Sequence, residues 1–144
     1  MMTDAFNLSR FIEAQADSYN TALAELRAGR KYTHWIWFVF PQLKGLGSSG
    51  NADYYGLSGL DEARAYLAHP VLGPRLREAT TALLAHRPHA ARAVLGELDA
   101  MKFRSCMTLF ACADPTEPVF GAALDVFFAG KPDTRTLQLL ETPG

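Results

Sequence analysis

Cysteine is scarce in this chain: Cys106 and Cys112 are the only two, both in an apolar stretch. Two cysteines build no secreted disulfide framework. With no CxxC and no His/Cys cluster at ligand spacing, there is also no case for structural zinc. The four histidines offer no i, i+4 pair that could hold a metal on a helix. Excess charge of either sign is missing as well. Fourteen Lys and Arg face 15 Asp and Glu, a net charge of −1. That balance argues against a nucleic-acid polymer as partner, because phosphate-backbone binding draws on a basic excess. Paired carboxylates suited to acid–base work are not evident. No apolar run is long: the longest, 35–40, falls far below the roughly 18 residues of a membrane helix. Residues 1–6 carry Asp4 and lack the basic and apolar regions of a signal peptide, so a cytoplasmic protein away from membranes is expected.

What is present is an ordinary globular balance, 49% hydrophobic and 20% charged over 144 residues. It suits a single domain spanning 1–144. Leu8, Phe11, Ile12, Gln15, Tyr19, Ala22, Leu23 and Leu26 recur at helical spacing, which predicts one helix between an Asn7 cap and a Gly29 stop. Its stripe includes Gln15 and Tyr19, which need partners once buried; the polar loop from Pro41 could supply them. Arg10 could bridge Asp99 or Glu62. Residues 33–40 suit a short buried helix with Thr33 as cap and Pro41 as stop. Residues 41–55 suit a long loop, a feature that often carries function. Ser58-Gly59-Leu60-Asp61-Glu62 signals a helix start, and His69-Pro70 its end. Further helices are expected at 72–86 (ended by Pro88), 89–95, 97–113, 119–129 and after an Asp133 cap. In the 97–113 helix, Leu98, Met101, Ser105, Thr108, Leu109 and Cys112 share one face. With no separated alternating strands, the expected fold is all-α, about seven helices around the Trp/Phe-rich segment.

The most informative stretch runs from Gly29-Arg30-Lys31 through His34-Trp35, Trp37-Phe38 and Phe40-Pro41-Gln42 to Gly45-Leu46-Gly47. It combines with Leu8-Ser9-Arg10-Phe11, Ala14-Gln15, Glu62-Ala63, Tyr66-Leu67, Leu72-Gly73, and Asp99, Lys102, Ser105 with Met107-Thr108-Leu109-Phe110. Together these segments, over nearly the whole chain, resemble the domain-of-unknown-function family eighteen-ten. The resemblance implies an all-helical fold and no established activity. That family usually has serine where this chain has Cys106, and methionine where it has Ile36.

The residues themselves suggest a pocket for a small anionic metabolite, nucleotide- or sugar-phosphate-like. Lys31 would supply charge, His34 would act as donor or general base in a hydrolysis, and Gly45 and Gly47 would offer backbone N–H groups. Gln42 would bind beside them. Trp35 would stack near the pocket, since Trp35 and Trp37, two apart on a helix, diverge by about 200° and cannot face one ligand. Lys102 and Ser105 could join across the core. Each has a structural alternative: Lys31 solvated, His34 capping a helix, Gln42 bonding a loop, Lys102 pairing with Asp99, Ser105 and Thr108 bonding the preceding turn. An N-glycosidase would further need Glu62 or Asp99 beside His34. No cofactor is implied and the oligomeric state is open. The competing expectation is a protein-interaction module that grips a partner through 43–55, without catalysis.

Overall fold

The computed structural model describes residues 4–86 and 90–141. Among them are ten helices and no strand, close to the expected count. The expected first helix is two, α1 (Ser9–Ala16) and α2 (Tyr19–Ala28). Asp17 and Ser18 break it, both residue types that favour turns over helix interiors. Asn7 does not cap α1: it adopts φ +54°, and Asp4 accepts from the Leu8 and Ser9 N–H groups instead. Gly29 ends α2 as expected, in the left-handed conformation.

The aromatic segment forms only one turn, α3 (Ile36–Val39). The expected long loop holds another short helix, α4 (Gly50–Tyr55), whose start is capped by Ser49 accepting from the Ala52 N–H at 3.1 Å. A parallel bridge between Leu43 and Leu57 straddles it. There Leu57 N–H donates to the Gln42 carbonyl at 2.9 Å, and Lys44 N–H to the Leu57 carbonyl at 2.8 Å. These bonds fix the backbone at Gln42.

Then come α5 (Leu60–Ala68), α6 (Leu72–Leu84), α7 (Ala91–Leu95), α8 (Glu97–Ala113), α9 (Pro118–Phe128) and α10 (Thr134–Glu141). Glu62 reaches back to the Ser58 N–H at 2.8 Å, half of the expected capping arrangement. The stop expected at Pro88 and the placing of His89 lie outside the described residues.

Helix α8 is the axis of the packing, touching α3, α5, α7, α9 and α10. Phe103, Cys106, Met107 and Phe110 bury completely along its inner side. Ring contacts spread from it: Phe103 meets Phe40 at 4.8 Å, Phe110 meets Tyr66 at 5.4 Å, and Tyr66 meets Phe11 at 5.1 Å. Each such ring removed from water contributes about 1.5–3 kcal/mol. The shared face expected for α8 is only partly inward. Ser105, Thr108 and Leu109 are buried, but Leu98 and Met101 are 72% and 63% exposed, because in the first turns it is the side with Ala100 and Phe103 that meets the core.

Three buried polar side chains, Arg10, Gln15 and Tyr19, are paired across helices. Arg10 binds Glu62 at 2.8 Å, one of its two expected partners. Gln15 donates to the Phe38 carbonyl and the Tyr66 hydroxyl, and Tyr19 donates to Glu78 and the Arg75 carbonyl. Their partners thus lie in α3, α5 and α6 rather than in the loop after Pro41.

Candidate functional site

The segment entering α3 is held by one carboxylate that spacing alone does not reveal. Glu25 of α2 accepts from the N–H groups of Tyr32 (2.8 Å) and Thr33 (3.0 Å), the Thr33 hydroxyl (2.7 Å) and Trp35 Nε1 (2.9 Å). Burial pushes the Glu25 pKa up. The bonds from Thr33, Trp35 and Tyr32 outweigh it and bring the pKa down to about 2. Thr33 therefore serves Glu25 and does not cap α3. Trp35 is a core residue, 1% exposed.

Lys31 is similarly committed. Its N–H donates to the Val94 carbonyl at 2.8 Å, and its ammonium meets Asp99 Oδ2 at 2.8 Å, with the side chain only 7% exposed. Asp99 Oδ1 lies 3.5 Å from the Lys102 ammonium. The two lysines therefore converge, but on a carboxylate of the protein itself. His34 is exposed and forms no hydrogen bond among the described residues. Both oxygens of Glu62 are engaged, one with Arg10 and one with the Ser58 N–H.

The second half of the motif opens onto a cleft of about 330 Å³ between the 42–47 turn, the outer side of α8 and the start of α10. Gln42, Gly47, Lys102 and Ser105, all named from the sequence, lie on its walls. Leu46, Leu98 and Met101 add apolar lining, and Asp133 and Arg135, at the start of α10, add charged groups. Gly47 is small by necessity: a Cβ there would sit 2.9 Å from Ala52 Cβ. Gly45 takes a left-handed φ of +101° that turns the chain, and points toward Leu139 rather than into the cleft.

The polar groups on these walls differ in what is left over. Ser105 donates to the Met101 carbonyl at 3.1 Å, as expected from its place on a helix. Thr108 donates to the Arg104 carbonyl and accepts from the Asp133 N–H, tying α10 to α8. Asp133 caps α10 by accepting from the Thr136 N–H at 2.9 Å. Arg135 is exposed and unpaired among the described residues. Gln42 is only 8% exposed as a residue; its amide makes no hydrogen bond among them, and its polar atoms still reach solvent. It lies where the cleft meets a smaller hollow beneath Trp37 and Asn51.

Trp37, not Trp35, is the indole beside this region; the Lys102 ammonium lies 5.8 Å from its ring centre. Arg135 carries no signal in the sequence; Asp133 reads there only as a helix cap, and of the two tryptophans the sequence favours Trp35 as the one beside the pocket. Trp35 precedes α3 with non-helical backbone angles and is buried, while Trp37, within α3, is half-buried against the edge of the core. Cys106, at the family's usual serine position, is fully buried, and burial pushes its thiol pKa well up, so it has no nucleophilic character.

A family model described as a protein of unknown function, DUF1810, matches residues 5–140. The crystal structure of the conserved hypothetical protein Rv1873 from Mycobacterium tuberculosis is similar at 48% identity and a TM-score of 0.95. The match covers 97% of this chain and 100% of that one. No curated protein matches the chain.

Proposed function

Starting from the fact that the chain belongs to the DUF1810 family, we propose that it binds a small anion-bearing ligand in the cleft between the 42–47 turn, α8 and α10. The observation that carries this is Gln42, a residue nine-tenths buried on the cleft wall, whose amide makes no hydrogen bond among the described residues and still reaches solvent. That amide reaches solvent and can exchange water for a charged ligand group, a bond that contributes about 1.5–3 kcal/mol. Lys102 and Arg135 supply positive charge on the same walls. In this account Gln42, Lys102, Ser105 and Gly47 bind, Gly45 shapes the turn, and Lys31 holds Lys102 in place through Asp99. Trp35 supports from the core. His34 does not line the cleft, so no hydrolytic step is assigned to it.

A second reading has its own observation. Leu98 and Met101 are large, exposed and one turn apart, as a protein-interaction surface would require. It differs from the expected 43–55 grip in lying mainly on α8.

A thermal-shift panel of adenosine monophosphate, glucose 6-phosphate, citrate and hexanoate, run on wild type and Lys102→Ala, tests the proposal. A compound at a hundred times its dissociation constant adds about 2.7 kcal/mol. At this chain length that is a rise of roughly 5–11 °C. A rise lost in Lys102→Ala supports the anion cleft. No rise with any compound moves the choice to the interaction surface.

A further inference from the structure

The charges and shape of the cleft narrow the ligand further, resting on the binding reading just given. On the cleft walls Lys102 and Arg135 stand against Asp133, two cations against one carboxylate, which leaves one positive charge; the Lys31–Asp99 pair behind Lys102 adds none. A monoanion neutralises that balance. A phosphate dianion overshoots it and meets Asp133 on the same wall. Phosphate is also poorly served by donors. The Ser105 hydroxyl hydrogen is already given to the Met101 carbonyl. The start of α10 is capped by the protein's own Asp133 carboxylate, which occupies the position an anion takes at a helix N-terminus.

The face of α8 that presents Lys102 and Ser105 to the cleft also presents hydrocarbon. Leu98 and Met101 expose 72% and 63% of their surface beside the half-buried Leu46, an arrangement that disfavours the sugar of a nucleotide and favours an apolar body. The volume, about 330 Å³, sits at the small end of the roughly 300–1,000 Å³ of ligand sites. We propose that the ligand is a compact monocarboxylate with an apolar body. Its carboxylate meets Lys102, Arg135 and the amide of Gln42, and its hydrocarbon covers Leu98 and Met101.

The test is a titration followed by 1H–15N and methyl NMR, with hexanoate, hexanol and hexyl phosphate as probes, on wild type, Lys102→Met and Gln42→Leu. Unchanged dispersion of the spectra shows that each variant is folded. Hexanoate is expected to shift the Gln42 side-chain amide and the Leu98 and Met101 methyl signals saturably. Hexanol should bind more weakly by about tenfold or more, and Lys102→Met should lose a similar factor for hexanoate, as for the loss of a hydrogen bond to a charged group. If hexyl phosphate binds through Gln42 and hexanoate does not, the monocarboxylate proposal is overturned while the anion cleft stands. Equal binding of hexanol and hexanoate, or no binding by any probe, overturns both.

Discussion

Glu25 shows how a residue with no motif of its own governs the most distinctive segment of the chain. Replacing it by alanine strands Trp35 Nε1 and two backbone N–H groups. Glu25→Ala is therefore expected to cost about 3 kcal/mol or more in urea unfolding. The pH dependence follows in sign. The Glu25 pKa is depressed from 4.5 to about 2 in the folded protein, so its stabilisation is fully present above pH 4.5 and is lost as pH falls toward 2. Urea midpoints between pH 5 and 2 should decline less steeply in Glu25→Gln than in wild type. Gln42 behaves in the opposite way. Its amide has no partner among the described residues and reaches solvent, so Gln42→Leu is expected to leave the melting temperature within about 2 °C of wild type, while removing ligand binding. A larger fall in melting temperature would mean that the amide is bonded within the protein. The charges of Lys31 and Lys102 are legible in the sequence beside the aromatics. What Lys31 is for is not, because Asp99 lies far along the chain and only the packing of α8 brings it close.

Helices and turns obey local rules until a long-range contact takes over. The ends of α5, α8 and α10 fall where His69-Pro70, Asp114-Pro115 and the Asp133 cap put them. The break at Asp17-Ser18 is hidden, since the apolar period runs through it unchanged. The turn α4 is hidden too: its six residues GNADYY carry little pattern, and Ser49 supplies the cap. Ser49→Ala is expected to cost about 0.5–2 kcal/mol and to speed amide exchange within α4. Gly73 carries the sharper constraint. A Cβ there would fall 2.1 Å from the Leu67 carbonyl oxygen, where no side chain can move aside, so α5 and α6 would have to separate. Gly73→Ala is expected to cost about 2–3 kcal/mol in denaturant unfolding, although alanine is the better helix former. A neutral or stabilising outcome would show that the two helices are free to part.

As a body, the protein is a layer of helices wrapped on α8, with one side of α8 left outside the core. That division assigns the roles. Side chains toward the core complete bonds to Glu25, Glu62 and Asp99, and those on the outer side, with the 42–47 turn, line the cleft. The all-helical class was legible because periodicity is a local signal. Half of the candidate site was legible because Gln42 and Gly47 are close in sequence to the aromatics they pack beside. The place of Arg135 and Asp133 on the cleft was not, since the packing of α10 on α8, with the Asp133 N–H bonded to Thr108, brings them there. No helix among the described residues is long and apolar enough to cross a membrane, and nothing in the account needs one. The most direct measurement is the 1H–15N signal of the Gln42 side-chain amide while the anion panel is titrated into the wild-type protein. The account predicts a saturable shift with the same compounds that raise the melting temperature. A ligand that stabilises the protein and leaves this amide unmoved would contradict it.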